Sequence, residues 1–422
     1  MPGQPQPADH TSKLILARLS AMMFLQYWPL GIWGVTVGTY IASNTGEQGA
    51  RIFSAGFVGY GTAAGAVGSL ISPVVLGFLS DRYFAAQRLV ALMHVGCALS
   101  ALGMYESQTQ AAFFFWLVVY FQCFVPAAAL TNKISLRHLA DTDAEYPRVR
   151  IFSTVGWISA GLFLGFVWPW ATGESIEATR TPLMLGAWGS VLMASYSLTL
   201  PHTPPDSRIG DFSLREFRDG GDLLRNRPLV VFLFVSMLAC IPSMAYNNYG
   251  NLFLNRQGYP RPAALMTLGQ VSDVLFLWAT PWLIARFGLR SLFVSGVIAW
   301  GARYSMLAAG SHYEIAWPVY AAILIHGACY VFIYVVGVMY VDRLVGGTQQ
   351  GAAQGMYALA STGLGHLFGA FTVGFSQEIF LTPDGVSPPP YDWTAFWIVP
   401  AILSAVTVVV FSFAFKSPRH LS

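Results

Sequence analysis

Charge is scarce in this chain. Of its 422 residues, 23 are Lys or Arg and 20 are Asp or Glu, so 10% are charged, against roughly a quarter in soluble domains. With 55% hydrophobic and 15% aromatic residues, an ordinary water-soluble domain is excluded. Cysteine is also sparse. Cys97, Cys123, Cys240 and Cys329 fall inside apolar stretches without CxxC spacing, which suggests neither a disulfide framework nor a zinc site. They read as small core residues. The chain has no GxxxxGK[ST] phosphate loop, which argues against an ATP-driven pump. It has no filter-like repeat of the kind channels use, and its scattered His residues lack the HExxH spacing of a metal-dependent intramembrane enzyme. Ten-residue segments of alternating polarity are missing too, so a spanning β-barrel is excluded. A formal charge of +3 says little about partners; no nucleic acid, cofactor or metal is expected.

What the sequence has is apolar runs, most reaching the roughly 20 residues a helix needs to cross the hydrocarbon core. About twelve are present, near 13–42, 54–80, 88–107, 110–136, 150–170, 182–200, 228–253, 264–287, 291–310, 315–342, 352–377 and 393–415. The expected fold is an all-α multi-pass membrane protein, and the first run is read as a retained helix rather than a signal peptide. Lys13, Arg82, Arg88, Lys133, Arg137, Arg148, Arg225, Arg286, Arg343 and Lys416 fall on one side of this twelve-span arrangement, whereas Arg51, Arg180, Arg256 and Arg261 fall on the other. By the positive-inside rule both termini are then cytoplasmic. The longest polar segment, "PHTPPDSRIGDFSLREFRDGGDLLRNRP", splits the runs into two sets of six. The expected organisation is a six-helix bundle over 1–205, a cytoplasmic linker over 206–227 and a second bundle over 228–422. Two bundles rocking about a midplane site suit a secondary transporter.

Polar side chains at membrane depth are costly and are site candidates by default. Arg150, Thr154 and Trp157 share one helix face at i, i+4 and i+7; Arg150 also reads as an Arg snorkelling from the cytoplasmic end. Asn247 lies in "MAYNNYGNLFL", where amides suit either a base edge or a sugar, or helix–helix hydrogen bonding. Gln270 and Asp273 stand three apart on one face. A carboxyl in low dielectric resists ionisation, which suits a group that takes up and releases a proton; a structural partner for an Arg is the other reading. In "HGACYVFIYV", His326, Tyr330 and Tyr334 recur at spacing four and line one face, where aromatic rings can stack on a planar ligand. Arg303 and His366 are read as structural.

"GFLSDRYFAAQR" resembles the short cytoplasmic signature of the major facilitator superfamily, with Asp81, Arg82 and Arg88 at helix ends where ion pairs can form in one conformational state and break in another. Positive-inside topology alone also accounts for these residues. Across nearly the whole chain, "FLQYWPLGIW", "LTNKISLRHL", "YPRVRIFSTVGWI", "TLPHTPP", "TLGQVSDVLF", "HGACYVFIYV" and "AAQGMYAL" together resemble the bacterial nucleoside:proton symporter family of that superfamily. The resemblance implies a major facilitator fold and import of purine or pyrimidine nucleosides with protons through a V-shaped cavity between the bundles. A bacterial inner-membrane location and a monomer in the lipid bilayer go with it. It also implies that Arg150, Thr154, Trp157, Asn247, Gln270, Asp273 and Tyr330 bind substrate, with His326 beside them; that Asp273 couples the proton is expected from its place in an apolar run. Trp157 stands where the family often has Phe, and Asp273 where it has Glu. Val331 stands where the family pattern has Asp, so an acid has become an isopropyl group. An uncoupled facilitator, a chain arrested in one conformation, a proton-coupled sugar or oligosaccharide carrier and a non-transporting receptor remain open at this point.

Overall fold

A computed structural model of the chain describes residues 11–45, 52–68, 83–205, 223–345, 349–381 and 391–414. Among these, the only β-type pairing is an isolated bridge between Thr45 and Phe53; the rest is helix and short connections. The helices are α1 (Lys13–Gly34), α2 (Val37–Ser43), α3 (Phe57–Gly61), α4 (Ala86–Glu106), α5 (Gln110–His138), α6 (Thr142–Leu162), α7 (Trp168–Thr172), α8 (Thr181–Ser197), α9 (Arg227–Cys240), α10 (Ser243–Arg256), α11 (Pro262–His312), α12 (Ala316–Leu324), α13 (His326–Tyr330), α14 (Val336–Val345), α15 (Gln350–Ala358), α16 (His366–Phe380) and α17 (Trp393–Ala414). Eight helical stretches among the described residues are long and apolar enough to cross a bilayer. Large apolar side chains point outward as they do toward lipid: Trp170 is 87% exposed, Trp278 85% and Phe413 82%.

Local chemistry sets the boundaries. Thr109 caps α5 by accepting from the Ala112 amide, Asp141 caps α6 through Ala144, and Asn226 caps α9 through Leu229, each satisfying an otherwise orphaned N–H. The runs expected at 264–287 and 291–310 form α11, whose backbone turns sharply at Gly288, with φ of 74°. A side chain would be strained there. The run expected over 315–342 is interrupted. α12 ends at Leu324, α13 begins after Ile325, and Val331–Val335 form a π-turn before α14. A second π-turn, Leu359–Gly365, joins α15 to α16, and a third, Phe163–Val167, joins α6 to α7. Such turns insert a residue into a helix without breaking its backbone hydrogen bonding and often mark functional positions.

The described chain divides into two compact units. The first comprises residues 1–40 and 67–210, the second 41–66 and 211–422. In the first, α1 packs along α6 and α8, and α4 along α5; a Cβ on Gly156 would fall 2.4 Å from the Phe24 carbonyl oxygen, so only glycine permits the α1–α6 approach. The "PHTPP" segment ties down the start of α4: the Ala86 amide donates to the Thr203 carbonyl at 2.9 Å, and the Thr203 amide to Gln87 Oε1 at 3.0 Å. In the second unit, α11 packs against α17, α12 and α13, and α3 against α16. A Cβ on Gly59 would lie 2.3 Å from the Gly374 nitrogen, so α3 and α16 meet backbone to backbone. Asn248 on α10 also donates to Thr62 at 3.1 Å. Of the motif residues Asp81, Arg82 and Arg88, Arg88 is exposed on the first turn of α4, while Asp81 and Arg82 lie outside the described residues, as do 206–222.

Candidate functional site

In the first unit the candidate residues lie on one face of α6. Arg150 Nη1 donates to Ser153 Oγ, Nη2 donates to the Tyr27 hydroxyl at 3.3 Å, and the guanidinium carbon lies 5.1 Å from the Tyr27 ring centre. The side chain is thus held by α1 rather than left free to reach the membrane surface. Thr154 and Trp157 are half-buried on the same helix.

The second unit carries a denser constellation, and Ser272 builds it. Its hydroxyl donates to the Leu324 carbonyl at 2.5 Å and accepts from the Gly327 amide at 2.9 Å, satisfying two backbone groups left over where the chain breaks between α12 and α13. A Cβ on Gly327 would fall 2.4 Å from the Ser272 carbonyl oxygen. This close approach brings the next residue, Asp273, to His326: Asp273 Oδ2 is 3.7 Å from His326 Nε2. Gln270, one turn back, places its amide 3.4 Å from the same ring nitrogen. On the other side of the ring, Arg303 Nη1 lies 2.8 Å from His326 Nδ1.

Aromatic rings wall this polar line. His326 stacks on Tyr330 with centroids 4.2 Å apart, and Tyr330 meets Trp300 edge-on at 5.4 Å. The Tyr330 hydroxyl donates to Asn247 Oδ1 on α10. Arg303 is fully buried, its guanidinium carbon 3.4 Å from the centre of the Tyr246 ring. Stacking over an aromatic face gives a buried cation part of the stabilisation it loses on leaving water. Val331, 4% exposed, opens the π-turn directly after Tyr330. His366 joins the end of the line through Tyr334, whose ring centre is 5.4 Å from that of Tyr330 and whose hydroxyl is 2.9 Å from His366 Nε2.

Of the residues singled out in the sequence, Asn247, Gln270, Asp273, His326 and Tyr330 therefore form one connected chain of contacts in the second unit. Arg150, Thr154 and Trp157 share a helix in the first, and Arg88 stands apart. Ser272 and Tyr246 are not candidates on sequence grounds, and Arg303 reads there only as structural. An Arg in the middle of an apolar run is the signal that marks it; a Ser in a helix carries no such signal.

Helices with apolar outer faces and buried polar lines define a multi-span helical membrane protein with the major facilitator fold, and a solved structure shares that fold: a point mutant of nucleoside transporter NupG superposes with a TM-score of 0.87 at 23% identity, over 95% of this chain and all of that one. The chain belongs to the nucleoside H+ symporter family, whose model matches residues 14–420. It is a transporter and not an enzyme. It is 32% identical to the putative nucleoside transporter YegT of Escherichia coli strain K12, over 95% of this chain and 93% of that protein. It is 28% identical to the xanthosine permease of the same strain, over 95% and 96%.

Proposed function

We propose that this chain imports nucleosides across the bacterial cytoplasmic membrane together with protons, by alternating access, with Asp273 as the proton-coupling group. The observation that carries this reading is the line from Asn247 through Tyr330 and His326 to Gln270 and Asp273. It combines a ring that can stack on a base, amides that can pair with its edge, and a carboxyl that can change charge. Arg150, Thr154 and Trp157 on α6 offer further polar and aromatic groups suited to a nucleoside. Protonating Asp273 removes a charge that is costly to carry through an occluded, dry state; releasing the proton to the cytoplasm resets the cycle. The bias of Lys and Arg toward one side supports cytoplasmic termini, and the protein acts as a monomer in the bilayer.

Uptake of radiolabelled uridine and adenosine into liposomes holding the purified protein tests the reading. Accumulation above equilibrium under an inward proton gradient, lost when that gradient is dissipated, is expected. A second reading, an uncoupled facilitator, draws support from the buried apolar Val331 next to Tyr330, and uptake that merely equilibrates would favour it. Specific binding without flux points to an arrested chain, and neither binding nor flux to another substrate class.

A further inference from the structure

We infer that Arg303 is a positioning residue for transport: it locks His326 in the neutral form whose single N–H sits on Nε2, aimed at Asp273 and Gln270, and so confines the transported proton to the carboxyl. The inference rests on the symport reading above for its role in coupling, although the state of the ring is decided without it. A guanidinium only donates hydrogen bonds. Arg303 Nη1 lies 2.8 Å from His326 Nδ1, so Nδ1 must be the acceptor, and an imidazolium would set two donors against each other. The ring proton of neutral His326 is then on Nε2, 3.7 Å from Asp273 Oδ2. At 3.4 Å from the same nitrogen, Gln270 satisfies that N–H once its amide turns its oxygen inward, the two ends of the group being nearly the same shape.

The surroundings leave no other role for the ring. Tyr246 from α10, Asp273 from α11, Cys329 and Tyr330 from α13, and Tyr304 beside Arg303 on α11 are the titratable groups that feel the guanidinium. Among them only Asp273 carries a carboxyl group. Nε and Nη2 of Arg303 have no hydrogen-bond partner among the described residues, so the bond to His326 is its polar anchor there and the Tyr246 face its other support. His326 is therefore a fixed neutral donor facing Gln270 and the carboxyl of Asp273, not a second proton carrier. This arrangement gives a chain with Val331 in place of the family acid a way to work with one titrating site.

Nitrogen NMR of the full chain, labelled at histidine and with the His326 signal identified by its loss in His326→Gln, reads the ring directly. An unprotonated, hydrogen-bonded Nδ1 and an Nε2–H that persist from about pH 6 to about pH 8 are expected. An Nδ1–H, or conversion to imidazolium in that range, overturns the inference. In Arg303→Met the ring should populate both tautomers, and the KM for uridine should rise on the order of tenfold as the fixed donor is lost. Arg303→Lys should restore both. Arg303→Gln removes the charge and can offer Nδ1 either end of its amide, so both tautomers should appear while the pH of half-maximal uptake moves up by about one unit. A wild-type spectrum and pH profile in Arg303→Met or Arg303→Gln also overturns it. If Arg303→Met does not fold, the native and Arg303→Gln spectra decide. A native chain that fails to accumulate nucleoside while showing the Nε2–H form sinks the symport reading alone.

Discussion

Asp273 and Arg303 sit at membrane depth with an imidazole between them, and their fates under substitution differ. Asp273→Asn keeps the shape and the hydrogen-bonding edge but cannot gain or lose a proton. Accumulation driven by the proton gradient should vanish while exchange of internal for external nucleoside continues; retained accumulation would move coupling elsewhere. Val331→Asp places an acid at a position 4% exposed, and an uncompensated buried charge costs several kcal/mol. Thermal unfolding should come at lower temperature, and uptake should acquire a second pH-dependent step. Unchanged stability and transport would show that the isopropyl group is indifferent. Asp273 and Gln270 are legible in the sequence because polar groups in an apolar run stand out. Arg303 stands out equally, but its partner lies 23 positions along the chain, and no local spacing connects the two.

The helix pairs that hold these residues depend on backbone contact. With 2.4 Å between an added methyl and the facing carbonyl oxygen, Gly327→Ala in the second unit and Gly156→Ala in the first must push their helices apart, at about 1–3 kcal/mol each by the usual cost of overpacking. Both should lower the unfolding temperature. Gly327→Ala should in addition raise the KM for nucleoside, because it moves His326 relative to Asp273. Ser272→Ala removes one hydroxyl with two bonds and should cost about 1–3 kcal/mol through the Gly327 amide left without its acceptor. Hydropathy makes the helix ends readable to within a few residues in α4, α8 and α17. The interruptions near Ile325 and at the π-turn starting with Val331 are not readable, since neither Gly nor Pro marks Ile325 or Val331 themselves and the freed backbone groups near Ile325 are satisfied by a side chain from another helix.

At the scale of the whole molecule, the six-plus-six pattern of runs is plain in the sequence, but the segment 41–66 groups with the second unit although it belongs to the first half of the chain. Its Gly59 backbone contact and the Asn248–Thr62 hydrogen bond explain why; they depend on residues 315 and 186 positions further on, beyond any local pattern. A chain cut within the linker and expressed as two pieces together should recover uptake, whereas the piece from 211 onward alone should be captured poorly in folded form, measured by fluorescence-detected size-exclusion chromatography. The lent segment also governs how relatives can be recombined. A hybrid joined at the linker would pair one parent's Gly59 with the other parent's counterpart of Gly374, so substrate preference could be exchanged cleanly only if residues 41–66 travel with the second half.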